Sequence, residues 1–241
     1  MDDKTNKKPQ SESLKALRAA FPVTIPVLTG YIFLGIAFGI LLASKGFGPV
    51  WAFIMSTFVY AGSAQFVAVG LLAAGFELFT AGLVVLMVNA RHIFYGISML
   101  ERFKDYKKAK WYMIFSLTDE TFALLLSAKT SQGVNEKKMH FFISLLDQIY
   151  WIIGGVIGGV LGSAIPLNTK GIDFVMTALF IVVFLEQWKT KSNRSPATIG
   201  LGVSLACRIL FGTQWFILAS MAALILIFTF ARKPLQERGE A

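Results

Sequence analysis

The sequence predicts an all-α polytopic membrane protein with about six to eight membrane segments. Only 15% of its 241 residues are charged and its mean hydropathy is +0.63, whereas a soluble domain usually carries about 25% charged residues. Four stretches of 22 to 31 residues contain no charge, and about 20 apolar residues are enough to cross a bilayer. These observations exclude a soluble enzyme, a disordered chain and a secreted disulfide scaffold.

Eight apolar segments leave little of the chain outside the membrane. Their approximate ranges are 19–44, 49–74, 77–100, 111–128, 139–165, 171–187, 196–211 and 213–231. We therefore expect a single transmembrane domain over 19–231, between polar tails at 1–18 and 232–241. The first apolar run is too long for the apolar region of a signal peptide, which indicates a retained N-terminal tail.

The Lys and Arg residues of the connections predict the orientation, because they concentrate on the cytoplasmic side. If all eight segments span and the N-terminus lies inside, 14 of these cations lie inside and seven outside. If 49–74 and 111–128 each enter and leave on one face, 19 lie inside and two outside. Both arrangements make the two termini cytoplasmic. The net charge of +9 then reflects orientation in a lipid bilayer and does not indicate a nucleic-acid partner.

The centres of these two segments are small and polar, at residues 61–65 and 116–121. Broken backbone at membrane depth is tolerated where protein or a water-filled cavity covers it. One interpretation is therefore a pair of broken or re-entrant helices of opposite orientation, as in many secondary transporters. The other is two ordinary helices whose polar centres face the interior of the bundle.

Several ionisable side chains lie within apolar segments, where they are costly and tend to line pathways or to pair. They are Arg91, His92, Asp119, Glu120, Asp147 and Arg208. Counted from the proposed cytoplasmic boundary at the helical rise per residue, the depth in the membrane is about 12 to 13 Å for Arg91, Asp119 and Asp147. In a structural interpretation Arg91 pairs with Asp119 or Glu120, and Asp147 with Arg208. In a functional one, an arginine holds a substrate carboxylate and a spare carboxylate carries a proton.

The remaining chemistry-bearing residues indicate no enzyme. No His/Cys cluster has the spacing of a metal site, and no nucleophile–base pair or phosphate loop is present, so we expect no catalytic residue, metal or cofactor. Small residues recur every fourth position in two parallel stripes of one segment and again in the first segment, which favours close helix packing within the chain or with a second subunit. They are Gly154, Gly158 and Gly162; Gly155, Gly159 and Ser163; and Gly35 and Gly39 in the first segment.

Three runs carry a resemblance to a known family. They are VYAGSAQF at 59–66, NARHIFYG at 89–96 and LTDETF at 117–122, with further agreement at 30–39 and 171–174. Their order and spacing resemble the AzlC-type large subunit of the bacterial branched-chain amino-acid exporters. The resemblance implies export of valine, leucine and isoleucine, with methionine as a further candidate, across the cytoplasmic (inner) membrane. It also implies a small AzlD-type membrane subunit as partner, and proton coupling is a hypothesis for such carriers.

These motif positions and the depth estimate together give a site hypothesis. The substrate-binding candidates are Gly62, Ser63, Gln65, Asn89 and Arg91. The proton-coupling candidates are Asp119, Glu120, Asp147 and His92. Phe66 and Phe94 could accept an aliphatic side chain, although core packing explains them equally well. A channel and a structural or assembly subunit of a membrane complex remain open as alternatives to a carrier.

Overall fold

The computed structural model describes residues 11–73, 75, 78–165, 174, 177–178, 181, 184–185, 188–189 and 191–230. Every regular element in these residues is helical, which confirms the predicted all-α class. They form two compact units, one ending at Ile172 and the other beginning at Asp173. The predicted C-terminal tail lies outside the described residues, as do residues 1–10 of the N-terminal tail.

Among its described residues, the first unit contains a short 3₁₀ turn, Lys104–Tyr106, and eight helices. These are α1 Glu12–Ser44, α2 Pro49–Phe58, α3 Gly62–Ala73, α4 Leu78–Val88, α5 Ala90–Met99, α6 Ala109–Phe115, α7 Asp119–Ser127 and α8 Glu136–Ala164. The second unit contains α9, Lys191–Phe230, which is kinked at Gly212, whose φ of 68° suits glycine. In the part of the chain that the structure describes, three helical stretches are long and apolar enough to span a membrane: Glu12–Ser44, Glu136–Ala164 and Arg194–Gly212.

Helices α1 and α8 lie side by side and run in the same direction. Lys138 Nζ of α8 lies 2.7 Å from Glu12 Oε2 of α1, and the Tyr150 hydroxyl further along α8 lies 3.0 Å from Thr24 Oγ1. Because the contacts advance together along both helices, the pair is parallel. The hydrogen bond from Lys138 lowers the pKa of Glu12. The stabilisation from this contact is therefore fully present above the ordinary pKa of a glutamate, and it is lost as the pH falls through the lowered pKa.

The stripe of Gly154, Gly158 and Gly162 on α8 and the pair of Gly35 and Gly39 on α1 form the contact between these two helices. A Cβ atom on Gly39 would overlap Gly155 O, and one on Gly158 would overlap Ile36 O. One on Gly154 would lie 2.8 Å from Ile32 O. Only glycine permits this approach of two backbones. The packing alternative is therefore confirmed as an intrachain contact, which we call the glycine seam.

Three of the predicted apolar segments are interrupted in the middle. The segment 49–74 breaks between α2 and α3, where Tyr60 has a φ of 42°, and the segment 111–128 breaks between α6 and α7. The two breaks, at 59–61 and 116–118, overlap the start of the predicted small polar centres. The segment 77–100 is also broken, between α4 and α5 at Asn89, which the sequence analysis did not predict.

The first interrupted segment folds back on itself beside α8. Helix α2 begins near the end of α8, where a Cβ on Gly159 would lie 2.8 Å from Pro49. It ends near the middle of α8, where Gln148 Nε2 donates to Thr57 O at 3.0 Å. Helix α3 then starts against Trp151, so the chain has turned back toward the end at which α2 began.

The interrupted segment 111–128 also folds back on itself, but it starts at the opposite end of α8. Tyr112 of α6 packs against Phe141, near the start of α8. The hairpin reaches the middle of α8 where Thr121 Oγ1 donates to Asp147 at 2.8 Å, and α7 then returns Leu125 to the apolar cluster at the start of α8. The two turns meet at the rings of Tyr60 and Phe115, 6.2 Å apart.

The 101–110 loop lies at the end of the unit where α1 begins. Arg102 lies 3.5 Å from Glu136, the first residue of α8, and Lys137 lies 3.9 Å from Asp105. Glu12 of α1 is bonded to the next residue of α8. This basic loop and the start of α1 therefore lie at the same end of the first unit.

Candidate functional site

Arg91 and Asp119, from two of the broken segments, form an ion pair. Arg91 Nη1 lies 2.5 Å from Asp119 Oδ2, and the two side chains are 34% and 29% exposed. Arg91 lies in the first turn of α5, where the helix dipole disfavours a cation, whereas Asp119 opens α7, where it favours an anion. The carboxylate therefore offsets the unfavourable position of the arginine. The pairing that the sequence suggested for these residues is present.

A third broken helix also starts at this ion pair. Arg91 Nη2 donates to Ser63 Oγ at 3.0 Å, and Ser63 is the second residue of α3. The N-terminal ends of α3, α5 and α7 therefore come together around one guanidinium. Free N–H groups and the positive ends of helix dipoles make such a place suited to an anionic group.

Three buried polar atoms of these neighbouring residues have no hydrogen-bond partner among the described residues. They are Arg91 Nε, Asp119 Oδ1 and Asn89 Oδ1. Asn89 occupies the break before α5 without capping that helix through its side chain. A donor or an acceptor left unpaired in a buried place is costly. All three could be satisfied by a molecule that carries an anionic and a cationic end.

The break before α7 also organises the two remaining carboxyl groups. Thr118 caps α7 by accepting from Thr121 N at 3.2 Å, and its Oγ1 lies 2.5 Å from the Tyr31 hydroxyl. Tyr31 donates to Glu120 Oε2 at 2.8 Å. Thr121 Oγ1 donates to Asp147 Oδ2 at 2.8 Å. Asp147 is fully buried.

Two predicted substrate-binding residues face a different neighbour from the one expected. Gln65 Oε1 accepts from Trp151 Nε1 at 2.8 Å, and a Cβ on Gly62 would lie 3.1 Å from the Trp151 ring. Gln65 is two residues beyond Ser63, about 200° around the helix. Its side chain therefore contacts α8 instead of joining Ser63 at Arg91. The Gln65 Nε2 atom is buried and has no partner among the described residues.

The other predicted residues lie at the edge of this arrangement or outside it. His92 Nδ1 lies 3.3 Å from Asn89 O. Phe66 is buried against Phe38 with ring centroids 5.9 Å apart, which is core packing, and Phe94 is 60% exposed.

The predicted structural pair of Asp147 and Arg208 takes one residue from each of the two units, which are described separately, and it stays a prediction. Within the second unit, Arg208 is exposed and lies 5.7 Å from the centre of the Phe216 ring. In the described part of the chain, no group of His, Cys, Asp and Glu side chains could hold a metal ion.

Sequence reasoning missed the side chains that connect the central groups. They are Tyr31, Tyr112, Thr118, Thr121, Gln148 and Trp151. Two signals could have found some of them. A threonine followed by two acidic residues is typical of a helix start and indicates the cap at Thr118. Gln148 and Trp151 share the helical face of α8 that carries Asp147 and the glycines.

Comparison with known proteins gives consistent matches. The profile of the AzlC protein family matches residues 26–165. The branched-chain amino acid transport protein AzlC of Bacillus subtilis is 45% identical over 97% of this chain and 92% of its own length. An uncharacterised membrane protein of Helicobacter pylori (strain ATCC 700392 / 26695) is 45% identical over 93% and 99%. The inner membrane protein YgaZ of Escherichia coli is 32% identical over 82% and 83%. No solved structure matches the chain significantly.

Proposed function

Because the chain belongs to the AzlC family, we propose that it transports branched-chain amino acids across the membrane. The substrates would be valine, leucine and isoleucine, with methionine as a further candidate, and the direction would be export. The observation that carries this proposal is the Arg91 site, where three helix starts and an ion pair meet and three buried polar atoms have no partner among the described residues.

The site has the charge pattern of a receptor for a zwitterion. The substrate carboxylate would bind Arg91 and the N-terminal ends of α3 and α5. Its ammonium group would bind Asn89 Oδ1 and Asp119. The ion pair of Arg91 and Asp119 would then open so that each partner exchanges the other for one end of the substrate. This exchange avoids leaving a buried charge unpaired, which is the costly alternative.

The proposed setting is the cytoplasmic membrane of a bacterium, with both termini in the cytoplasm. The position of the 101–110 loop beside the start of α1 supports it. The chain would be the large subunit of a two-component secondary transporter, with a small AzlD-type membrane subunit as partner. Proton coupling would depend on carboxyl groups next to the substrate, for which Asp119, Glu120 and Asp147 are candidates, together with His92.

An efflux measurement tests this proposal. Cells are loaded with a radiolabelled valine dipeptide, and valine efflux is followed with and without the chain and its partner. We expect faster efflux with both subunits, and its loss in Arg91→Gln. Arg102→Gln is the matched control, because Arg102 forms only a peripheral ion pair at 3.5 Å. Equal efflux with and without the two subunits would refute export. Flux that neither saturates nor responds to a pH gradient would indicate a channel. Absence of amino-acid binding would indicate an assembly subunit.

A further inference from the structure

An unbroken chain of three hydroxyl groups joins Glu120 to Asp147. The Tyr31 hydroxyl lies 2.8 Å from Glu120 Oε2 and 2.5 Å from Thr118 Oγ1. Thr118 Oγ1 lies 3.0 Å from Thr121 Oγ1, which lies 2.8 Å from Asp147 Oδ2. All four distances are hydrogen-bond distances. The chain crosses from α1 to α7 and then to α8.

The hydroxyl hydrogens of this chain can be arranged in two ways, and in both of them each hydroxyl group has one hydrogen. When both carboxyls are ionised, Tyr31 donates to Glu120 and Thr121 donates to Asp147. Thr118 stands between them and can donate in either direction, because each hydroxyl has one hydrogen and accepts through its lone pairs. A proton added at Asp147 reverses Thr121 and directs Thr118 toward Tyr31. Every hydrogen-bond donor in the chain is then directed away from Asp147 and toward Glu120.

We propose that Tyr31, Thr118 and Thr121 relay a proton between Asp147 and Glu120; the inference rests on the proposed function, which it deepens by naming the proton path. The Asp147 proton passes to Thr121 as Thr121 passes its own to Thr118. Thr118 passes its proton to Tyr31, and Tyr31 passes its proton to Glu120. Four O–H bonds break and four form, each hydroxyl keeps one proton, and the net change is one proton moved from Asp147 to Glu120.

The burial of the chain fits a path between an interior and an accessible group. Asp147 and Thr121 are fully buried, and Thr118 and Tyr31 are 7% and 4% exposed, whereas Glu120 is partly exposed. Asp147 Oδ1 has no hydrogen-bond partner among the described residues. A buried carboxylate with one donor is costly, and a proton on Asp147 would remove that cost.

Other titratable groups surround the two ends of the chain. The titratable groups that interact electrostatically with Asp147 are Glu120 of α7, Tyr60 after α2, Tyr112 of α6 and Tyr31 of α1. Those that act on Glu120 are Asp119 beside it, Arg91 and Tyr95 of α5, and Tyr31 of α1. Arg91 is the cation in this set. A substrate carboxylate that occupies Arg91 would weaken its attraction for a negative charge on Glu120 and so favour arrival of the proton there.

Transport in liposomes tests the relay with isosteric variants of the full chain and its partner. Two quantities are measured: valine transport driven by a pH gradient, and valine exchange at equal pH. We expect Tyr31→Phe and Thr121→Val to lower gradient-driven transport about tenfold or more and to leave exchange within about twofold. Thr121→Ser keeps the hydroxyl and should restore coupling. Thr121→Val does not remove the helix cap, which belongs to Thr118.

Tyr150→Phe is the matched control. It removes the buried hydrogen bond of 3.0 Å between Tyr150 of α8 and Thr24 of α1. Neither of these residues belongs to the chain of hydroxyls. It should leave gradient-driven transport unchanged. Full gradient-driven transport in Thr121→Val, or an equal loss in Tyr150→Phe, would overturn the relay. Failure of the wild type to exchange valine would instead overturn the proposed function.

A second readout needs no substrate. The carboxylic acid band of Asp147 is assigned in the infrared spectrum by its loss in Asp147→Asn, and its hydrogen–deuterium exchange is timed. We expect exchange to slow about tenfold or more in Thr121→Val and Tyr31→Phe and to stay at the wild-type rate in Thr121→Ser. Wild-type exchange in the first two variants would overturn the relay whatever valine does. A spectrum without this band at every pH at which the protein stays folded would overturn it as well.

Discussion

Replacing Gly39 with alanine should destabilise the first unit, because the new methyl group has no space in the glycine seam. It would overlap Gly155 O and Gly159 N and lie 2.7 Å from Gly158 C. All three are backbone atoms, so no side-chain rotation relieves the overlap. Restoring an ordinary carbon contact of about 3.5–4.0 Å requires the two helices to separate by about 1 Å. Overpacking of this kind costs about 1–3 kcal/mol.

We expect the upper end of that range, since the separation also loosens neighbouring contacts along the seam. About 3 kcal/mol corresponds to a fall in unfolding temperature of about 6–12 °C for a chain of this size. The measurement is thermal unfolding of the purified protein in detergent. Gly30→Ala is the control, because it lies on the same helix with nothing within 4 Å of the new methyl group, and it should leave the unfolding temperature unchanged or slightly raised. Equal unfolding temperatures for the two variants would refute the seam.

Three further predictions concern the contacts of Trp151 and Arg91 and the orientation of the chain in the membrane. Trp151→Phe should lower the free energy of unfolding by about 1–3 kcal/mol, measured by denaturant titration, because it leaves the buried carbonyl of its glutamine partner unpaired. Arg91→Met should destabilise the protein more than the double variant Arg91→Met with Asp119→Leu, because the single change leaves a carboxylate without its cation; equal stabilities would contradict this. In intact cells an impermeant thiol reagent should label Lys45→Cys and not Asp105→Cys, and labelling of both would contradict the arrangement with 19 cations inside.

The sequence predicted the helical class, and one of its two interpretations contained two of the three breaks seen in the described residues, for a physical reason. Residues 61–65 and 116–121 are small and polar, so they weaken a helix locally, and both mark interruptions in the structure. The third break lies between Val88 and Ala90, where a single Asn89 stands within an apolar run. One polar residue in such a run is equally compatible with an uninterrupted helix, and only the fold shows the break.

The central contacts were less predictable because they join residues far apart in sequence. Depth along the membrane placed Arg91 and Asp119 at the same level, and they are in contact. Depth does not fix rotation about a helix axis, so it did not separate Ser63, which faces Arg91, from Gln65, which faces Trp151. The glycine stripes indicated a packing face but not its partner helix or its parallel direction.

Ligand-induced thermal stabilisation tests the central claim that the Arg91 site reads both charged ends of a branched-chain amino acid. The purified chain, together with the proposed AzlD-type subunit, is unfolded by heat with valine, or with isobutylamine, which has the aliphatic group and the ammonium but no carboxylate. At about 100 times its dissociation constant, a ligand of the native state adds about 2.7 kcal/mol. We predict that valine raises the unfolding temperature of the wild type and not of Arg91→Gln, and that isobutylamine raises neither. Equal stabilisation of the wild type by the two compounds, or of both proteins by valine, would contradict the account.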